Sequence, residues 1–345
     1  MARNGPSLIF HESGGKKLMV RRNYIIDSLS YKFAIFFIAL SYACLLTTQP
    51  IDLFVDRNNY LTYAINSREI YDRYLAQGWL SVFFNEPLWL GVNVLIGSAL
   101  SPENALRLII FFSSFVTAYL VLIYQARWFI LLLMFLFLPQ VIKNNIIHLR
   151  QGLAIAVFLC GWFSHNRIFR YLFYGAACFI HSSFLIIVFL IMLDDISIKC
   201  RMSSEIRAIL VLAVGLLVGV GGLWIADLVN ARQADQYISG AVAVSGLGFV
   251  FWMAVATIFM LQGRSFLRDN SLQFSIIIFY LSTYFFLAVA ARVFESALLL
   301  VFFSALQLTN YRKYAFIFLF VCYFFIQWSA RIMLPSFGWG VQNYL

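Results

Sequence analysis

The chain has 345 residues, a formal net charge of +10, 62% hydrophobic residues and only 12% charged ones. A soluble domain carries about 25% charge, and the mean hydropathy here is +0.84. So few charges cannot form a water-facing surface, which excludes a cytosolic enzyme, a secreted disulfide scaffold and a nucleic-acid-binding protein and predicts an all-α polytopic membrane protein.

The basic residues of the first 31 positions, Arg3, Lys16, Lys17, Arg21 and Arg22, predict a cytoplasmic segment by the positive-inside rule. This stretch is too long and too mixed for the n-region of a cleaved signal peptide. A spanning helix needs roughly 20 apolar residues. The candidate runs are 32–50, 105–124, 127–143, 146–164, 169–193, 206–228, 244–262, 271–291, 293–309 and 313–330, with 79–101 as a further element. They make one transmembrane domain over 32–330 of ten or eleven spanning or re-entrant helices, followed by a tail over 331–345.

Segment 51–78 holds Asp52, Asp56, Arg57, Arg68, Glu69, Asp72 and Arg73. It is too polar to span and is expected on the external interface. In 79–101 the pair Glu86-Pro87 leaves about fourteen residues before Ser101-Pro102. That is roughly 21 Å of helix against a 30 Å hydrocarbon core, which suits a re-entrant element. The parity of crossings between 194 and 263 does not resolve, and another broken element is expected within 223–243. The scattered basic residues sit between apolar runs, where anionic headgroups account for them. Cys44, Cys160, Cys178, Cys200 and Cys322 form no C-x-x-C or Cys/His cluster and read as small core residues.

An ionisable side chain at mid-helix costs about 2.5–3.5 kcal/mol or more in lipid, so Glu86, Arg150, His181, Arg292 and Glu295 need explaining. Arg150 is either an arginine reaching for the interface or a fork for a phosphate or carboxylate, with Gly152 and Ala154 leaving room beside it. His181 is either a helix-to-helix hydrogen bond or a proton acceptor. Arg292 and Glu295, three residues apart, either neutralise each other or leave Arg292 for an anionic ligand. Glu86 caps a helix or orients an arginine. Asp56, Tyr60 and Tyr63 suit sugar contacts, and the tyrosines equally suit an aromatic belt. No histidine or carboxylate spacing suggests a metal site.

Four motifs follow in order: Asp56-Arg57-Asn58-Asn59-Tyr60, Glu86-Pro87-Leu88, Leu149-Arg150-Gln151-Gly152-Leu153-Ala154 and Phe179-Ile180-His181-Ser182-Ser183. In this order they resemble the EpsG family of Wzy-type polymerases, over roughly residues 32–195. Where that family often carries Gly-Thr before the aspartate, Phe54-Val55 stand here. The resemblance implies a GT-C-like glycosyltransferase of the bacterial inner membrane, working at the periplasmic face without metal or cofactor. It implies undecaprenyl-pyrophosphate-linked glycans as donor and acceptor, polymerised into O-antigen or exopolysaccharide, and a Wzz-type chain-length regulator as a plausible partner. Direct attack on the donor would invert its anomeric configuration.

That chemistry assigns Arg150 and Arg292 to the pyrophosphate, since arginines are the available counter-charges without a metal. His181 is favoured as the base, because an imidazole ordinarily titrates near working pH. Glu86 then positions the acceptor or Arg150. A flippase of lipid-linked sugars and an O-antigen ligase are the alternatives, although no paired repeat of the transporter kind is visible.

Overall fold

A computed structural model describes residues 8–13, 16–21, 29–228, 246–287 and 289–340, the side chains of 8–13, 16–21 and 222–228 excepted. Within the first 31 residues, β1 (Leu8–Ser13) and β2 (Lys16–Arg21) pair antiparallel, from Leu8 opposite Arg21 to Ser13 opposite Lys16. The other regular elements among the described residues are helices. Within the expected 32–330 domain the helices group into two compact units.

The first unit comprises residues up to 77, 86–181 and those from 323 onward. It holds α1 (Leu29–Thr47), α2 (Arg57–Ala76), α4 (Pro87–Gly97), α5 (Pro102–Ile123), α6 (Phe129–Leu136), α7 (Pro139–Ile146), α8 (Leu149–Trp162) and α9 (Arg167–Ile180). Its axis is α5, which packs against α1, α2, α4, α6, α7 and α8. Buried Ala105, Ser113, Ser114, Thr117 and Ala118 make that possible. Small side chains let helix backbones approach closely where lipid offers no hydrophobic drive.

The second unit comprises 78–85 and 182–322. It holds α3 (Trp79–Phe84), α10 (Ser183–Lys199), α11 (Ser204–Leu228), α12 (Leu247–Gln262), α13 (Arg264–Asp269), α14 (Ser271–Thr283) and α15 (Ala290–Ala305); α16 (Asn310–Ser329) runs from it into the first. α14 packs on α10, α11, α12 and α15. A Cβ at Gly215 on α11 would overlap the Ser282 hydroxyl of α14, so glycine is required by that crossing. Asp194 joins α10 to its neighbours: Arg207 donates to it at 3.3 Å and Ser271 at 3.0 Å.

Several apolar runs break where uninterrupted helices are expected. Among the described residues, Leu29–Thr47, Pro102–Ile123 and Ser204–Gly221 are long and apolar enough to cross a membrane. The run 127–143 is a bent pair, with α6 and α7 at 66°. Pro139 starts α7, and a proline inside a continuous helix would clash with the preceding turn. The carbonyls freed by the break are met by neighbours: Tyr42 donates to Leu136 O at 2.8 Å and Trp328 Nε1 to Phe137 O at 2.9 Å. Run 169–193 divides at His181 into α9 and α10. The division of 79–101 into α3 and α4 falls at Glu86-Pro87, the pair that marks a break in the sequence. Pro87, Leu149, Leu247 and Ser271 begin apolar helices of 10–17 residues. The element expected within 223–243 falls largely outside the described residues.

Segment 51–78 carries α2, whose polar composition agrees with its failing to span. It is fixed at its start by the other end of the chain. Phe54 forms a β-bridge with Gly340, and Val55 N donates to Trp339 O at 2.9 Å. Trp339 is buried, with the Arg331 guanidinium 5.4 Å from its ring centroid.

Candidate functional site

In the first unit α2 packs on α4, α4 on α9, and α9 on α8. Three of the ionisable residues singled out in the sequence stand where these helices begin or end. Glu86 immediately precedes α4. Its backbone is left-handed, φ 61° and ψ 55°, a region that costs an L-residue roughly 1–2 kcal/mol. Pro87 disfavours an ordinary helical conformation at the residue before it, so α3 cannot run on into α4. Arg150 lies in the first turn of α8, after the non-helical His148. His181 is the extended residue that ends α9.

The Glu86 side chain is 3% exposed and carries both contacts. Oε2 pairs with Arg150 Nη1, and Oε1 lies 2.7 Å from His181 Nδ1. Arg150 and His181 keep 20% and 16% of their side-chain surface. An ionised carboxylate can only accept. Its bond to His181 therefore places the ring proton on Nδ1 and leaves Nε2 as the basic nitrogen.

Aromatic rings frame Arg150. Its guanidinium carbon is 6.0 Å from the Tyr60 ring centroid and 5.7 Å from that of Tyr63, distances at which a cation is attracted by the ring face. Trp89 on α4 meets the two tyrosines edge-on at 5.7 and 6.2 Å. Farther along α2, burial raises the Tyr74 phenol above its ordinary value; the Glu86 carboxylate adds to the rise and Arg150 opposes it.

Glu86, Arg150, His181, Tyr60 and Tyr63 thus converge, as the assignment of one site requires. Asp56, half exposed at φ 65° before α2, faces His148 with Oδ2 and Nδ1 3.9 Å apart. Arg292 belongs to the second unit, exposed in the first turn of α15, where Ser296 Oγ donates to its carbonyl at 3.0 Å. Its pairing with Arg150 therefore rests on the sequence alone. Glu295 follows one turn later on the same helix.

The reading of Gly152 needs correction. A Cβ there would overlap the Asn144 carbonyl oxygen and lie 3.2 Å from Asn145 Cα. The glycine admits the end of α7 rather than a ligand beside Arg150.

Two residues were not assigned from sequence. His148 lacks metal-ligand spacing, yet it engages Asp56. Arg57 stands in a polar segment expected on the external interface, yet it is 2% exposed. The signal for Arg57 was its place between Asp56 and Tyr60 in the first motif. Among the described residues, no group of three or more His, Cys, Asp or Glu side chains is placed to hold a metal ion. Comparison with protein-family models, curated proteins and solved structures finds no match to this chain.

Proposed function

We propose that this chain is a polytopic glycosyltransferase of the bacterial inner membrane that polymerises lipid-linked oligosaccharide repeat units at the periplasmic face. In this reading it has a GT-C-like arrangement of ten or eleven spanning or re-entrant elements. The donor is a growing glycan on undecaprenyl pyrophosphate and the acceptor is a hydroxyl of a single repeat unit on the same carrier. The product is O-antigen or exopolysaccharide, and a Wzz-type regulator is a fitting partner. The observation that carries the reading is one buried carboxylate shared between a guanidinium and an imidazole, within an aromatic frame.

His181 Nε2 accepts the proton of the acceptor hydroxyl as its oxygen attacks the donor's anomeric carbon. The new C–O bond forms while the bond from that carbon to the diphosphate breaks. Undecaprenyl pyrophosphate departs with the bonding electrons, and the anomeric configuration inverts. Glu86 holds the Nδ1 proton and stabilises the imidazolium that results, the role a buried carboxylate takes beside a catalytic histidine. Before transfer Glu86 and Arg150 cancel, so the trio is neutral. After transfer its charge is +1, next to a diphosphate gaining negative charge. Stabilisation that grows along the reaction is the kind that accelerates it. Tyr60 and Tyr63 supply flat faces for sugar rings, and Asp56 is held by His148 at the edge of the same helix.

The test is a purified chain supplied with lipid-linked repeat units and no ion gradient. Products of increasing repeat number support the reading. Transfer to a lipid A core indicates a ligase, and movement across the bilayer without a new glycosidic bond indicates a transporter. Arg150→Ala and His181→Ala, present at normal abundance in a host lacking the native gene, are expected to make no long chains. Full-length polymer from either would overturn the assigned roles.

A further inference from the structure

Among the described residues, Arg57 is a buried charged group with no hydrogen-bond or ion-pair partner. It begins α2 and is 2% exposed, and among the described residues none of its three guanidinium nitrogens has a hydrogen-bond partner. Its near neighbours do not neutralise it. The Phe54 ring centroid is 5.7 Å from its guanidinium carbon. Asp56, adjacent in sequence, is turned to His148. Burial pushes Arg57 down to about 10; Tyr60 opposes that shift, and the like charge of Arg107 adds to it. No carboxylate contributes, and Arg57 is still a cation at neutral pH.

Arg107 lies in the second turn of α5 and donates from Nη1 to Thr47 O, the last residue of α1, at 2.6 Å. α5 packs on both α1 and α2, and the charge of Arg107 acts on the buried Arg57. An isolated buried charge is among the costliest arrangements a protein can hold. A buried guanidinium with no hydrogen-bond partner among the described residues, and a second cation in electrostatic reach of it, call for an anion. A forked, planar donor suits a phosphate oxygen pair best. Tyr60, one turn after Arg57, also lies beside Arg150, so α2 carries the new locus next to the catalytic trio.

We propose that Arg57 and Arg107 form a second phosphate-binding site, which holds the diphosphate of the acceptor repeat unit's lipid carrier. The assignment to a carrier rests on the polymerase reading. The two diphosphates in that reaction have different fates. The donor's leaves and must meet a charge that grows during transfer, which Arg150 and His181 provide. The acceptor's stays attached through the reaction, so its site needs fixed charge and no proton acceptor. Arg57 and Arg107 offer that.

Radiolabelled undecaprenyl diphosphate, titrated onto the full chain in phosphatidylcholine nanodiscs, tests this. Wild type should bind two per chain. Arg57→Gln and Arg107→Gln should each weaken one site by about 10–100-fold, the value of a charge-assisted hydrogen bond, and Arg150→Gln should weaken the other. One site in wild type, lost with Arg150→Gln and untouched by Arg57→Gln, overturns the inference and leaves the polymerase reading standing. No binding at all overturns both. Phosphatidylglycerol nanodiscs that displace label from the Arg57 site alone would assign it to bilayer phosphate and overturn the carrier. Arg57→Met guards against misfolding. Without ligand it should melt at a higher temperature than wild type, because a lone buried charge has been removed. A lower melting temperature would mean that Arg57 has a structural partner and would overturn the proposal.

Discussion

Replacing Glu86 by Gln tests the site most directly, because it keeps the side chain's shape and removes only its charge. The carboxylate is 3% exposed and its partner Arg150 is 20% exposed. Breaking a buried pair by neutralising one member costs about 3–5 kcal/mol, since the other charge is left uncompensated. Arg150 keeps some access to water, so the lower half of that range, about 3–4 kcal/mol, is expected. The amide also loses the obligation to accept from His181. Its nitrogen can donate to Nδ1 instead, which moves the ring proton to Nε2, the wrong nitrogen for a base. A general base commonly contributes about 100–10,000-fold, and glycosyl transfer should fall by that much. The two losses are separable. Thermal unfolding in detergent reads the first, and initial rate per folded molecule, with purified lipid-linked repeat units, reads the second. The double variant Glu86→Leu, Arg150→Met removes both charges together. It should recover most of the stability, because a buried pair replaced by apolar groups of similar volume is near neutral, and none of the activity. If Glu86→Gln unfolds like wild type and transfers sugar at an unchanged rate, the buried carboxylate neither balances Arg150 nor orients His181, and the proposed mechanism fails.

Gly152→Ala should lower the melting temperature and the amount of folded chain, since its methyl group overlaps the Asn144 carbonyl oxygen. Overpacking of this kind costs about 1–3 kcal/mol, and the backbone atoms involved cannot swing aside as a side chain would. Asp194→Ala should loosen the second unit. Arg207, whose side chain is 6% exposed, would lose its partner, and Ser271 its acceptor. About 3–5 kcal/mol is expected from the uncompensated arginine, read as a shift in thermal unfolding. Arg207→Met in the same chain should restore much of it.

Membrane character was legible in composition, because apolar content alone decides it. The helix break at Glu86 was legible too, since Pro87 leaves few backbone choices before it. The grouping of Glu86, Arg150 and His181 was foreshadowed by their cost in apolar surroundings, but distances between residues 64 and 95 positions apart are fixed only by packing. Hydropathy counts apolar residues without regard to where the backbone bends. For that reason α6 and α7 read as one run, as did α9 and α10. The β1–β2 pairing was missed because a short hairpin among scattered basic residues carries no periodic signal of its own. For a related reason, Arg57 was not singled out. Beside Asp56 its charge looks solvated, and only the fold reveals that the aspartate turns to His148 while the arginine is enclosed. Gly152 looked like space for a ligand because small residues beside an arginine have that meaning in a motif; the close approach of α7 gives it another.

The bridge between Phe54 and Gly340 has a consequence for biosynthesis. The corner that carries Asp56 and Arg57 is pinned by a segment that leaves the ribosome nearly three hundred residues later. During translation the first helices can insert and pair, but this corner stays unfastened until residue 340 has emerged. Translation that stops early would leave the first helices inserted and the start of α2 without its anchor.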